Sequence, residues 1–404
     1  MASLSAAVWR SRWRRLPVTV RAWLVSRILV VGLAVLFGLS FGLVVRGADP
    51  GVPDLFVLTR AIDPWVPHSL VLLGDWDTTW YLDIARHGYA HDIGQVGVRD
   101  TNLAFFPLVP GIMAAFAALG INPFLAMLVV ANGAFLGFLV GVRALTARLF
   151  AGRVSPERAV WAAALLPPAA YASLAYTEAL VMACAVGAAL LMLNDRPAAA
   201  GALAAVAALS RPPGLIVAGL VVLLALTGPP GRRVRGVVWA LVPCALALAG
   251  FFAWMWWARG APALPLEAQA SWGRGQAVIG VFTAFPSELA AAVDQVVHLR
   301  AGAAWTAAVR DVGFTALYVL LLVGLWRMCG GLRSPWVAYS VAALALPLST
   351  GSFMSMARFG TLAFPLMWPL AVWLDGAPRR RRWAAGAAVL VTALLVAQLR
   401  IRSP

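Results

Sequence analysis

An all-α protein that crosses a membrane many times is what this sequence predicts, and three observations carry the prediction. Hydrophobic residues make up 62% of the 404 and charged residues only 12%, a balance outside the range of soluble domains. The apolar residues come in blocks close to the ~20 that a bilayer core of roughly 30 Å requires. The basic residues fall between those blocks rather than in one stripe, so the net charge of +16 reads as topology and excludes a nucleic-acid surface. All 32 of them are Arg, which with the Ala, Gly and Pro richness is a compositional bias of the source.

The elements follow in order. A basic segment, 1–23, precedes the first apolar block, Leu24 to Val45, which only Ser26, Arg27 and Ser40 interrupt. Its length, and the lack of a small-x-small cleavage site, predict an uncleaved helix rather than a signal peptide. Further helices are expected near 124–142, 159–175, 178–194, 197–210, 212–227, 236–257, 312–328, 335–350, 360–375 and 383–399, giving about 11 within a range of 10 to 13. Phe105 to Gly120 is apolar but short, with Pro107 and Pro110 in its first turns. Counting it as a span reverses the side of every later loop. A re-entrant segment keeps Arg10 to Arg21, Arg143 to Arg158, Arg232 to Arg235 and the turn Arg379 to Arg382 on one side, as the positive-inside rule requires. That parity places the N-terminus in the cytoplasm and two longer loops, 46–104 and 259–311, outside. All of it forms one membrane-embedded domain, 1–404, without internal repeats or linkers.

Several chemistries have no support. Cys184, Cys244 and Cys329 lie singly in apolar segments, as packing residues do. His68, His87, His91 and His298 lack zincin spacing, and no serine-centred motif is present, against a metallohydrolase or serine hydrolase.

The most informative stretch runs from Gly74 to Tyr89. Trp76, Trp80, Tyr81 and Ile84 recur there at helical spacing, predicting a short amphipathic helix at the membrane interface with Asp77 on its polar edge. A carboxylate so placed can act as a general base toward a hydroxyl; Asp77 or Asp75 can equally serve as the helix cap. Glu178 and Arg211 stand at the ends of apolar spans, where a charge is costly and is kept for a partner or a polar cavity, or else sits among the headgroups. Arg358 is the sole ionised residue of the segment Gly351 to Gly360, among hydroxyls. Its planar fork suits a phosphate; the competing role is that of an arginine snorkelling to the headgroups.

The ordered set Trp76-Asp77, Trp80-Tyr81, Ile84-Ala85, Gly88-Tyr89, Phe105 to Pro110, Tyr176-Thr177-Glu178, Ser210 to Gly214, and Ser355 to Phe359 ahead of Phe364-Pro365 resembles the PIG-V family of mannosyltransferases. Gln269 to Gly273 is similar to the family as well, with Gln269 and Trp272 placed to wall an acceptor site, although Trp is equally at home in an interfacial belt. The resemblance covers residues 75–365. It implies a GT-C fold, a polyprenyl-phosphate mannose donor, a glycolipid or glycan acceptor, and an acidic catalytic residue in the first outward loop. Asp77 or Asp75 is then the catalytic residue, Arg358 and Arg211 hold the donor phosphate, and Glu178, Trp76, Tyr81, Gln269 and Trp272 line the substrate. A lipid-phosphate donor has no diphosphate leaving group, so neither a metal nor another cofactor is expected. Short loops and the Lys-free composition point to a bacterial plasma membrane, with membrane lipids as neighbours. The other class of function is a transporter or flippase for a lipid-linked substrate. Such carriers often contain paired broken helices, of which the sequence displays one, Phe105 to Gly120, without a clear partner.

Overall fold

The protein is described by a computed structural model covering residues 11–41, 65–74, 76–89, 102–271, 290, 293–294, 303–349 and 355–399. Regular structure among the described residues is helical throughout, with no strand. Among the described residues four helices are long and apolar enough to cross a membrane: α1 (Val18–Phe41), α4 (Pro123–Leu149), α9 (Pro230–Arg259) and α11 (Ala303–Cys329). Two bent pairs, Pro167–Ser173 with Glu178–Leu193 (102°) and Met356–Leu362 with Phe364–Asp375 (89°), bring the number to six if each counts as one span.

Local chemistry sets the boundaries. Before α4 the Asn122 side chain accepts from Leu125 N–H at 3.0 Å, with Pro123 opening the helix. The helix α5 (Pro156–Leu165) starts in the same way, with Ser155 accepting from Arg158 N–H at 3.3 Å. These are N-cap serine and asparagine placements followed by a proline that needs no N–H partner. The expected span 159–175 does not form as one helix. It stops at Leu165, because Pro167 and Pro168 remove backbone donors, and a 3-10 segment, Pro167–Ser173, turns the chain before α6 (Glu178–Leu193).

The expected span 360–375 is likewise broken. It consists of two 3-10 turns, Gly360–Leu362 and Phe364–Leu366, and α14 (Met367–Asp375), with the short α13 (Met356–Phe359) directly ahead of it. Where 259–311 was expected as a loop, α11 already begins at Ala303, so Arg310 and Asp311 are buried within a helix. The basic run Arg379 to Arg382 lies inside α15 (Pro378–Gln398) rather than in a turn ahead of it. Arg27 faces inward: its guanidinium donates to the Ala169 carbonyl at 3.1 Å and lies 4.1 Å from the Phe135 ring centre.

Phe105 to Gly120 contains α3 (Leu108–Ala118), whose 11 residues rise about 16 Å, about half a bilayer core. Shorter apolar helices complete the body: α7 (Pro197–Ser210), α8 (Ile216–Leu226) and α12 (Pro335–Leu348). Close helix packing relies on small residues. A Cβ at Gly141 would reach within 2.6 Å of Val186, and one at Gly201 would strike the Trp239 carbonyl.

The short helix expected from Trp76 to Ile84 is present as α2 (Asp77–His87). Leu82 packs into the main core, while Ile84 and Tyr89 join Phe106, Phe251 and Met255 in a second apolar cluster at the end of α9. Between them these contacts seat α2 against the helical body.

Candidate functional site

Four charged residues from four distant parts of the chain meet in one network. Asp77 opens α2, Glu178 opens α6 just after the 102° bend, Arg211 sits in the extended joint between α7 and the Pro212–Leu215 turn, and Arg358 lies in α13. Arg358 Nε donates to Glu178 Oε1 at 2.5 Å, and its Nη2 donates to Asp77 Oδ2. Arg211 Nη1 donates to the same Glu178 oxygen. Two carboxylates face two guanidinium groups, so the formal charge of the set is zero, the condition under which buried charges persist. Aromatic faces cover the cations. Arg358 lies 4.3 Å from the Tyr176 ring centre and Arg211 lies 4.7 Å from that of Phe359, in cation–π range.

Burial grades across the network. The side chains of Glu178 and Arg358 are 0% and 2% exposed, that of Arg211 is 9%, and that of Asp77 is 23%. Asp77 is therefore the end of the network that reaches outward. Within the interior, Glu178 Oε2 and Arg211 Nε have no hydrogen-bond partner among the described residues, unusual for buried polar atoms outside functional sites.

The backbone around each member is constrained. Trp76, immediately before Asp77, has φ 61 and ψ −115, a conformation that costs of order 1–3 kcal/mol for a non-glycine residue and collects at functional sites. Its indole Nε1 donates to the Leu399 carbonyl at 2.9 Å. Thr78 Oγ1 donates to the Ala175 carbonyl at 3.3 Å, and Ala175 N–H donates to the Leu73 carbonyl at 3.1 Å, tying the start of α2 to the segment that carries Glu178. Near Arg211, Gly214 packs so tightly that a Cβ would lie 1.8 Å from the Ala207 carbonyl oxygen.

Arg358 is held by residues that sequence reasoning missed. Asp311, paired with Arg310 at 2.8 Å, accepts the backbone N–H groups of Ser355 and Ala357, each at 3.2 Å. Tyr318 donates its hydroxyl to the Ala357 carbonyl at 2.8 Å, and Ser355 takes the left-handed conformation at φ 65. The signal available was an adjacent pair of unlike charges at the start of an apolar run.

The remaining expectations divide. Arg358, expected as the lone ionised residue of an outward loop, is instead buried between two carboxylates, which removes the snorkelling role. Trp76 rather than Asp77 occupies the N-cap position of α2, and Asp77 is the first residue of the helix. Tyr81 is buried on α2 with its ring edge-on to Phe105 at 5.4 Å. Burial first, then the Asp77 carboxylate, push its phenol above the usual range, which leaves it a neutral hydroxyl. Gln269 is engaged elsewhere, donating Nε2 to the Ala104 carbonyl at 2.6 Å and pinning α10 (Leu264–Ser271) to that turn. Asp75 and Trp272 lie outside the described residues. Among the described residues no group of three or more His, Cys, Asp or Glu side chains is arranged to hold a metal ion.

No family profile, curated protein or solved structure matches the chain.

Proposed function

We propose that this chain is a metal-independent glycosyltransferase of GT-C architecture with about 11 membrane passages. It moves mannose from a polyprenyl-phosphate donor to a lipid- or glycan-linked acceptor on the outer face of a bacterial plasma membrane. One observation carries this reading. Trp76-Asp77, Tyr176 to Glu178, Ser210 to Gly214 and Ser355 to Phe359, four of the segments that carry the resemblance to the PIG-V family, are up to 281 residues apart and yet contribute to a single ion network.

The chemistry then follows from the graded burial. Ion pairing with Arg358 favours the carboxylate form of Asp77, and only that form accepts a proton. Asp77 takes the proton from an acceptor hydroxyl, whose oxygen attacks the anomeric carbon from the face opposite the phosphate. The bond from the anomeric carbon to the phosphate oxygen breaks, the configuration inverts, and the lipid phosphate leaves with the electron pair. A phosphate needs positioning and charge neutralisation more than covalent help, and Arg358 and Arg211 supply the cationic side. Glu178, shared by both, fixes their orientation.

A specific observation favours a second reading. One bent helix pair supplies Glu178 just after its break and the other supplies Arg358 from its first arm, and paired broken helices around a charged centre also suit a carrier for a lipid-linked substrate. One measurement separates the two readings. Purified protein given mannosyl polyprenyl phosphate and a glycolipid acceptor should release free polyprenyl phosphate at a rate dependent on acceptor. Movement of the intact donor across vesicles without such release would establish the carrier instead.

A further inference from the structure

A cavity of about 1020 Å³ lies between α5, α11, α14 and α15, separate from the four-charge network. Its length is readable from α15, which lines it from Arg381 to Gln398. At about 1.5 Å per residue that is about 25 Å, most of a hydrocarbon core of roughly 30 Å. Alanine, leucine and valine side chains of α15 form that wall, opposite Phe314 and Leu317 of α11. The space is a long apolar slot, shaped for a chain rather than a ring.

Its two ends differ. At one end Arg158 and Arg381 line it, with Arg158 ion-paired to Asp375. At the other end are Pro167, Arg310 and Gln398. That second end adjoins the network on two sides. Arg310 pairs with Asp311, which holds the backbone of Ser355 and Ala357 just ahead of Arg358. Leu399, next to Gln398, accepts the indole N–H of Trp76, next to Asp77. A chain filling the slot therefore brings one of its termini to the level of the charged site, beside a guanidinium that complements phosphate.

We propose that this slot binds the isoprenoid tail of the lipid phosphate, with the phosphate at the Arg310 end and the tail running toward Arg381. The proposal rests on the transferase reading for the identity of the lipid. Gly313 provides the handle: it lines the slot, and an added Cβ there meets nothing within 4 Å. Gly313→Trp therefore obstructs the slot while leaving the four charges and Asp311 in place.

The test uses the full-length protein in lipid nanodiscs and a polyprenyl phosphate with a photoreactive diazirine at the far end of its tail. Labelling should fall on the peptide that carries Trp373 and Ala384. Unlabelled polyprenyl phosphate should compete for it and phosphatidylglycerol should not, and Gly313→Trp should reduce it at least tenfold without lowering thermal stability. Gly313→Ala, which leaves the slot open, should label like the unaltered protein. Equal competition by phosphatidylglycerol would make the slot an ordinary bilayer-lipid site and overturn the proposal. Labelling at the Arg310 end, no labelling, or full labelling of a stable Gly313→Trp protein would overturn it too. Binding is read apart from turnover, so the two readings can fail separately. Protein that labels but does not transfer sugar sinks the transferase alone, and protein that transfers without labelling sinks the slot alone.

Discussion

Asp77 and Glu178 are carboxylates on the same arginine, and their neutral variants should behave in opposite ways. Glu178 is 0% exposed and is the acceptor for both Arg358 and Arg211. Glu178→Gln leaves a buried excess positive charge, and removing one partner of a buried pair costs about 3–5 kcal/mol. At about 1.4 kcal/mol per power of ten, that lowers the folded-to-unfolded ratio by roughly two to three and a half powers. Asp77 is 23% exposed, and Arg358 keeps Glu178 when Asp77 is altered. Asp77→Asn leaves the same excess positive charge but at the end of the network that solvent reaches, and its amide oxygen still accepts from Arg358, so its cost should fall below the about 3–5 kcal/mol of the buried case. Its turnover should nonetheless fall by about two to four powers of ten, the range for a lost proton acceptor. Thermal midpoints by fluorescence-detected size exclusion, together with sugar release from tritiated mannosyl polyprenyl phosphate, give both axes. If Asp77→Asn were as unstable as Glu178→Gln, and its folded fraction retained full specific activity, Asp77 would be a counter-ion for Arg358 and the base would have to be sought elsewhere.

Three further outcomes are expected. Arg358→Lys keeps a charge but cannot span Asp77 and Glu178 with separate nitrogens, so donor kcat/KM should drop about tenfold to a few hundredfold with acceptor KM little changed; unchanged donor kinetics would assign the phosphate to Arg211. Gly214→Ala drives a Cβ to 1.8 Å from a backbone oxygen and should cost at least the about 1–3 kcal/mol of overpacking, seen as lost expression of folded protein, whereas normal yield would show that the Arg211 joint can shift. In a Cys-free background, cysteines at positions 153 and 380 should be labelled from the cytoplasmic side and one at the exposed His87 position from outside; outside labelling at 153 would show that Phe105 to Gly120 crosses the membrane.

The charged residues of the site were legible because a charge within an apolar run stands out against its surroundings. Glu178 and Arg211 were visible on that ground, whereas Asp77 stood out through the helical spacing of Trp76, Trp80, Tyr81 and Ile84, and Arg358 as the one charge among the hydroxyls of its segment. Their pairing was not, since nothing local connects Glu178 to a partner 180 residues away. Arg358 was misplaced for a related reason: with no acid in its own segment it read as an exposed cation, while its counter-charges come from two other helices. The helix breaks were half visible. Pro167-Pro168 and Pro365 are plain in the sequence, but the apolar character continues through them, so hydropathy joined what the backbone separates. Arg310 and Asp311 were assigned to a loop because two adjacent charges depress local hydropathy; as a neutral pair they are compatible with a buried helix.

The network also imposes an order on how the protein comes into being. Glu178 and Arg211 are 33 residues apart, and at about 5–20 residues per second of synthesis the acid waits only some 2–7 s for its first partner. The two can enter the bilayer as a neutral hairpin, sparing most of the roughly 2.5–3.5 kcal/mol that each isolated charge costs at the centre of an inserting helix. Arg358 follows Glu178 by 180 residues, about 9–36 s at the same pace, and Asp77 has by then waited still longer. A nascent chain stalled between residues 211 and 358 thus holds a neutral pair and an unanswered carboxylate at position 77, and the Asp77 end of the network closes only once Arg358 has been made.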